Sequence, residues 1–307
     1  MVEVFDIPDR ETWLRWRTAD LTASDVGAAA GVDRHKSALA LYAEKTGMLM
    51  PQGDNPSMRR GRWFEPAILA ALGEERPDWA VRPVGKYYRD AENRLAATPD
   101  FMAVTDEPGL TNIQGKVVAA PIYARDWAEG PPLAYQLQTL TEGLLMDAAR
   151  SYVAALVVST YTAELRLHRI DRHAAAEAKV LDIAKTFWLH VDRGQPPPVD
   201  ATNVGERDVL AEMYPESKRD AVVDLSSDNM IAVLVPELLA LKRGMSIDRK
   251  RADEIETEIK AKIGHAERAL LPGFDITWKS QTRKAYTVKE ASYRVLRVVD
   301  LDEEEAA

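Results

Sequence analysis

The stretch between Leu110 and Arg193 constrains the fold more than any other part of the sequence. Its apolar patterns alternate between the two-residue repeat of strands and the helical repeat, and Gly194 followed by three prolines ends it. The sequence predicts strands over Leu110–Val118, Tyr152–Thr160 and Ala163–Ile170, and helices over about Leu133–Asp147 and Arg172–Arg193. Such a succession is typical of a mixed sheet with helices packed on it.

The first hundred residues extend this pattern. Apolar residues recur at helical spacing in 9–18, 37–46 and 58–73, whereas 81–104 resembles short strands joined by turns. We therefore predict an α/β (α+β) fold for residues 1–200.

The remainder of the chain has a different character. Residues 229–241 favour a helix despite Pro236, 246–270 favour a heavily charged helix, and 273–278 and 293–299 favour strands. The predicted organisation is a core over 1–200, a linker over 201–226, and a small helical-hairpin-plus-strand extension over 227–307.

Composition excludes several classes of site. The chain contains no cysteine, so disulfides, thiolate metal sites and cysteine nucleophiles are impossible. We expect a cytoplasmic protein, since the N-terminus lacks the pattern of a signal peptide and no apolar run approaches about 20 residues. The net charge of −9 argues against a protein that coats nucleic acid, but arginine clusters such as Arg59-Arg60-Gly61-Arg62 leave room for a local basic surface.

Two short motifs carry the candidate chemistry. Thr98-Pro99-Asp100 ends a strand-like stretch, and Gln114-Gly115-Lys116 follows fourteen residues after the aspartate. Strand alternation places Gln114 and Lys116 on one face. A lysine on an apolar strand is costly without a partner, so a phosphate or carboxylate near Lys116 is expected. Glu65 is a third candidate, an acid within an apolar helical run.

These motifs, with four others, resemble a known family. The matching segments are Arg17–Val26, Leu41–Gly47, Gly61–Pro66, Ala97–Asp100, Ile113–Lys116 and Tyr135–Gln138. In this order they resemble the phage-type exonucleases of the PD-(D/E)XK superfamily, the lambda exonuclease and YqaJ-like viral recombinase group. The resemblance covers about residues 10–190 and implies a restriction-endonuclease-like mixed central β-sheet flanked by helices.

The resemblance implies a divalent metal held by oxygen atoms. Asp100 is the central ligand by this analogy and Gln114 the second, with the carbonyl of Gly115 completing the shell and Glu65 acting directly or through water. Oxygen ligands imply Mg²⁺ or Mn²⁺. Glutamine at 114 departs from the family pattern, because a carboxylate is expected there.

The resemblance also assigns the remaining site residues. Lys116 positions the attacking water and stabilises transition-state charge, and Gln138 helps to orient the water or a metal-bound group. Arg17 and Ser24 match the positions that hold a terminal 5′-phosphate, a task that suits a guanidinium and a hydroxyl.

The implied function is a metal-dependent 5′→3′ double-stranded DNA exonuclease, encoded by a phage or prophage and acting in recombination in a bacterial host. Its partners by the same analogy are double-stranded DNA ends, a single-strand annealing protein and further copies of itself in a ring. Because of Gln114, a catalytically silent DNA-end-binding homologue remains an alternative, and an endonuclease of the same fold is another.

Overall fold

The chain divides into two compact units, Met1–Met213 and Tyr214–Ala307. The computed structural model describes residues 1–50, 53, 55–201, 203, 205–216, 222, 227–263, 268–271 and 274–277. In chain order the elements of the first unit are β1 (Val2–Asp6), α1 (Arg10–Ala19), β2 (Leu21–Thr22), α2 (Ala23–Ala29), α3 (Ala38–Lys45), α4 (Pro56–Glu75), β3 (Ala80–Pro83), β4 (Lys86–Asp90), β5 (Leu95–Ala97), β6 (Phe101–Val104), β7 (Thr111–Ala119), α5 (Ala120–Asp126), α6 (Leu133–Leu145), β8 (Arg150–Val158), β9 (Ala163–Ile170), α7 (Ala174–Arg193) and α8 (Gly205–Met213).

A five-stranded sheet in the order β3-β6-β7-β8-β9 forms the centre of this unit. The β7–β8 pair is parallel and runs in register from Thr111 opposite Arg150 to Ala119 opposite Val158, whereas the other pairs are antiparallel. A parallel pair needs a long crossover, and α5 and α6 supply it. The predicted mixed sheet flanked by helices is confirmed.

A second sheet has four strands in the order β1-β4-β5-β2, all of them from the N-terminal part of the sequence. Its β2–β5 pair is parallel, so this sheet is also mixed. The chain passes from the second sheet to the first between β5 and β6, through Thr98, Pro99 and Asp100. One of the two predicted motifs therefore lies at the junction of the sheets.

Two apolar clusters hold the helices around this junction. One joins α2, α3, α6 and α7 and includes the fully buried Leu41 and Val180. The other packs Ile68 and Leu72 of α4 against Phe101 and Ile113 of the central sheet. The approach of α2 to α6 requires a glycine, because a Cβ at Gly27 would lie 2.8 Å from Cβ of Ala134. A larger residue there would force the two helices apart.

The sequence patterns located the long elements well and missed several short ones. The predicted strands over 110–118, 152–160 and 163–170 are β7, β8 and β9, and the predicted helices over 133–147 and 172–193 are α6 and α7. Four elements besides α8 were not predicted: β1, because all five of its residues are exposed, β2, which has only two residues, α2, because its alanines and glycine give no apolar period, and the short α5. Helix α8 lies within the stretch expected to be linker, and its Met213 is buried against the core.

The second unit contains helix α9 (Ile231–Ile263) and a hairpin of β10 (Arg268–Leu271) and β11 (Phe274–Thr277). The helical hairpin predicted here was wrong, since one continuous helix replaces two. Gly244 costs a helix only about 1 kcal/mol, which does not end it. Pro236 lies inside the helix rather than at its start. The strand predicted at 293–299 lies outside the described residues. No helix in the described part of the chain is long and apolar enough to cross a membrane.

Candidate active site

Asp100 is held at the junction of the two sheets by backbone hydrogen bonds. Its carbonyl accepts from the amide of Val84 at 3.0 Å, and its carboxylate Oδ2 accepts from the amide of Gly115 at 2.9 Å. Gly115 must remain a glycine for this approach, because an added Cβ would lie 3.1 Å from Ile68 and 3.2 Å from Phe101. The carboxylate is thereby fixed beside the middle of β7.

Gln114 meets Asp100 through its amide nitrogen. The Nε2 atom donates to Oδ2 of Asp100 at 2.5 Å and to the carbonyl oxygen of Gly115 at 3.3 Å. The side chain is only 4% exposed, and its Oε1 has no hydrogen-bond partner among the residues that the structure describes. An oxygen buried without a partner costs about 1–3 kcal/mol, a penalty that opposes the two hydrogen bonds made by Nε2.

Lys116 lies on the same strand and is held by helix α6. Its Nζ donates to Oε1 of Gln138 at 2.8 Å and lies 4.6 Å from the ring centroid of Tyr135. Burial lowers the pKa of Lys116, while the nearby Asp100 and Glu142 oppose this shift. The predicted proximity of a carboxylate to Lys116 is thus present in the structure.

Glu142 is a site residue that the sequence did not reveal. It is 1% exposed, and its Oε1 accepts from Nε2 of Gln138 at 2.9 Å. Burial, with Asp100 adding to it, raises the pKa of Glu142 to about 8. Its position four residues after Gln138 places both on one face of α6, and that spacing was the available signal.

Glu65, on α4, lines the same cavity as Asp100, Gln138 and Glu142, whose volume is about 390 Å³. Burial raises the pKa of Glu65. Burial also raises the pKa of Asp100, to about 6, with a contribution from Glu65 that Lys116 opposes. Acidic groups therefore outnumber basic ones around Asp100, which is the electrostatic condition for attracting a cation.

Arg17 and Ser24 lie on another wall of this cavity. Arg17 is in the last turn of α1 and Ser24 in the first turn of α2, and Nη2 of Arg17 donates to Oγ of Ser24 at 3.1 Å. Arg17 also stacks on Trp13, with its guanidinium carbon 4.7 Å from the ring centroid. The two residues predicted to act together are in direct contact.

Lys36 and Lys45 enlarge the basic group around Arg17; the sequence analysis assigned neither of them a role in the site. Both approach the buried carboxylate of Asp25, at 3.4 Å and 3.8 Å. Burial alone raises the pKa of Asp25, but Lys36, Lys45 and Arg17 outweigh it and lower the pKa to about 2. These residues line a neighbouring cavity of about 640 Å³, which shares Trp13, Arg17, Arg62 and Thr98 with the first.

The oxygen atoms beside Asp100 fit a hard cation. Two acceptors, Oδ2 of Asp100 and the carbonyl of Gly115, converge on the position of the Gln114 amide nitrogen. If the Gln114 amide is turned over, its Oε1 faces the other two oxygens, Oδ2 of Asp100 and the carbonyl of Gly115. Three oxygen atoms that face one another are stable only around a positive charge. Among the described residues, no group of three or more His, Asp or Glu side chains is arranged to hold a metal ion.

Known proteins resemble this chain in sequence and in fold. The profile of the YqaJ-like viral recombinase domain matches residues 12–142. The protein YqaJ of Bacillus subtilis (strain 168) is 25% identical over 276 residues, covering 88% of this chain and 83% of its own.

Solved structures show the same fold. The alkaline exonuclease LHK-Exo from Laribacter hongkongensis has a TM-score of 0.50 at 20% identity, over 60% of this chain and 94% of that one. LHK-Exo in complex with dAMP has a TM-score of 0.51 at 19% identity, with the same coverage. Residues 12–142 therefore resemble the YqaJ-like viral recombinase domain, and the fold is that of LHK-Exo.

Proposed function

We propose that the protein is a metal-dependent nuclease that degrades double-stranded DNA from a 5′-phosphorylated end in the 5′→3′ direction. One observation carries the proposal: a single cavity is lined by the acidic group with Asp100 and by the Arg17–Ser24 pair. A phosphodiester to be cut and the phosphate at the end of the same strand need these two environments close together. LHK-Exo, a protein of the same fold, is named an alkaline exonuclease and has been seen with dAMP, which supports this choice.

Arg17 and Ser24 bind the terminal phosphate in this proposal. A guanidinium provides paired, charged N–H donors, and a hydroxyl adds one hydrogen bond. Stacking on Trp13 and the bond to Ser24 restrict the rotamers of Arg17, so little entropy is lost when an anion binds. These contacts fix which end of the strand enters.

Asp100, Gln114, Glu65 and the carbonyl of Gly115 would hold a divalent cation. A donor set made only of oxygen atoms suits Mg²⁺ or Mn²⁺. When bound, such an ion lowers the pKa of water and polarises the phosphoryl oxygen.

Lys116 and Gln138 act next to this group. The Lys116 ammonium is held by Gln138 and Tyr135 close to Asp100, where it stabilises charge that develops on the phosphate. The amide of Gln138 orients the attacking water through hydrogen bonds.

A second candidate function is DNA-end binding without cleavage. Gln114 favours it, because an amide brings no negative charge to a site where the family pattern has a carboxylate, and it donates to Asp100 at 2.5 Å. An endonuclease of the same fold is the third possibility. Homo-oligomers and a single-strand annealing protein remain expectations from the family.

One assay separates the three. Linear duplex with 5′-phosphate or 5′-hydroxyl ends and closed circular duplex are incubated with protein in Mg²⁺ or Mn²⁺, and released nucleotides are measured. We expect release from phosphorylated linear ends only, lost in Asp100→Asn and retained in Asp106→Asn, a control at an exposed aspartate of the following turn.

Other outcomes have equally clear readings. Binding of linear ends without release in either metal, with cleavage gained by Gln114→Glu, identifies the silent end-binding protein. Cutting of closed circles identifies an endonuclease. Absence of both end binding and cleavage overturns the proposed function.

A further inference from the structure

Lys116, Gln138 and Glu142 form a continuous chain of hydrogen bonds. Nζ of Lys116 donates to Oε1 of Gln138 at 2.8 Å, and Nε2 of Gln138 donates to Oε1 of Glu142 at 2.9 Å. A glutamine amide has one accepting end and one donating end. The ammonium of Lys116 can only donate, and Oε1 of Glu142 accepts from Nε2 of Gln138, so the two partners together hold this amide with its oxygen toward Lys116.

Water cannot replace Glu142 in this role. The side chain is 1% exposed, and its second oxygen lies 3.5 Å from Nδ2 of Asn112, which is itself fully buried. Nδ2 of Asn112 also donates to the carbonyl of Thr139 at 3.2 Å. Glu142 therefore has a fixed position between Gln138 and β7.

The backbone of α6 also packs closely against the central sheet. A Cβ at Gly143 would lie 2.4 Å from Oγ of Ser151 on β8, so α6 lies close to β8 at this residue. Glu142 is thereby carried at a set distance from the central sheet, on which Lys116 also lies.

Stability alone gives no reason for a carboxyl group here. Desolvating a carboxyl group costs several kcal/mol, and an apolar residue of similar volume often serves a core equally well or better. The polar group is explained if its hydrogen bond to Gln138 is required by the neighbouring site.

We propose that Glu142 is a positioning residue, which fixes the amide of Gln138 and, through it, the ammonium group of Lys116. This inference rests on the proposed nuclease function and adds a residue to it. Glu142 touches neither the phosphate nor the metal in this scheme, so it acts on turnover and not on end binding.

The test uses Glu142→Met, which matches the side chain in volume but cannot accept a hydrogen bond. We expect kcat for release from 5′-phosphorylated duplex to fall at least about tenfold, with KM and metal-free binding of duplex ends unchanged. Glu142→Gln should recover most of the loss, because its oxygen still accepts from Nε2 of Gln138. Glu206→Met, at another buried glutamate in α8 and outside both cavities, is the matched control with normal kcat.

A double mutant separates positioning from structure. Because Glu142 acts through Gln138, the pair Glu142→Met with Gln138→Met should lose no more activity than Gln138→Met alone. Fully additive losses, or wild-type kcat in Glu142→Met, overturn the proposal. If Glu142→Met does not fold, Glu142→Asp keeps a buried carboxyl group that is one methylene too short, and normal kcat in that variant overturns the proposal equally.

A crystal structure of Glu142→Met gives a readout that needs no activity. We expect the Lys116–Gln138 hydrogen bond to be broken, and its persistence contradicts the proposal. A wild-type protein without nuclease activity defeats the proposed function alone, since this bond can still be compared between the two structures.

Discussion

The two cavities share a wall, and each has a polar region with a buried carboxylate: a basic region around Asp25 and an acidic region around Asp100. The pKa values of these two carboxylates are shifted in opposite directions. Asp25 is surrounded by Arg17, Lys36 and Lys45, which lower its pKa to about 2. Asp100 has one lysine and two further acids near it, and its pKa is raised to about 6. The first carboxylate therefore lies among more cations than it can neutralise, of which Arg17 and Lys36 keep part of their side chains exposed, whereas the second has one lysine near it.

This contrast teaches how one cavity can hold phosphate groups and a metal side by side. The basic cavity is lined by five cations, Arg10, Arg17, Lys36, Lys45 and Arg62, against Asp25 and Glu44, whereas the carboxyl groups of Asp100, Glu65 and Glu142 outnumber the nearby Lys116. A bound anion offsets the excess in the first region, and a divalent cation offsets that in the second. The predictions below change one charge at a time on either side.

Removing the cation of the acidic region should have the largest effect. Lys116→Met keeps the length of the side chain but leaves the transition-state charge without its ammonium group. We expect kcat to fall roughly 10²–10³-fold with end binding retained, measured by nucleotide release and fluorescence anisotropy. Lys86→Met, at an exposed lysine paired with Asp6, is the control. A loss of end binding in Lys116→Met would assign this lysine to the other region.

Removing the carboxylate of the basic region should reduce stability instead. The folded pKa of Asp25 lies below its usual value of 3.8, so its stabilisation is fully present above about pH 4 and is lost as the pH falls toward 2. Asp25→Asn should therefore lower the free energy of unfolding by about 2 kcal/mol near pH 7, with a difference that vanishes near pH 2.

Urea unfolding followed by circular dichroism over this pH range measures the effect. Asp147→Asn, at a carboxylate that is 93% exposed, is the control and should change stability little. A constant difference at all pH values would mean that the three cations do not stabilise ionised Asp25.

Arg17→Ala tests which end of the DNA the basic region selects. We expect the preference for 5′-phosphate over 5′-hydroxyl ends to fall about tenfold, with kcat at saturating DNA nearly unchanged. Competition binding with the two kinds of duplex measures this preference. Arg76→Ala, which removes an arginine stacked on Trp79 outside both cavities, should leave it intact. An equal loss for both ends would show that Arg17 contributes only general positive charge.

The sequence predicted the acidic region better than the basic one, for a physical reason. Gln114 and Lys116 share one strand, and strand alternation alone places them on one face. The grouping of Lys36 and Lys45 around Asp25 depends on how α3 packs against α1 and α2, which no local period encodes. Glu142 was missed because a glutamate within a helix is usually exposed. Here it is buried because α6 packs closely against β8. In the second unit, 229–241 and 246–270 were predicted as separate helices, but the lone Gly244 between them is too weak to end a helix.

The smallest expected effect comes from adding a charge at position 114. This change tests the contrast between the acidic and basic regions most directly. Gln114→Glu adds a carboxylate to the acidic region, so the variant should bind a divalent ion more tightly than the wild type. The gain in affinity should be only a few-fold, because an amide oxygen already serves as a ligand. Half-maximal activity should then need less Mg²⁺. Thermal unfolding without metal should occur at a lower temperature, because the introduced carboxylate would face Asp100 without a donor between them.

Titrations of activity and of melting temperature against Mg²⁺ measure both effects of Gln114→Glu. Asn112→Asp, two residues earlier on the same strand and facing Glu142, is the comparison variant that adds a buried charge away from Asp100. An unchanged metal requirement in Gln114→Glu would remove position 114 from the cation site, and the acidic excess around Asp100 would then have to be offset by Lys116 alone.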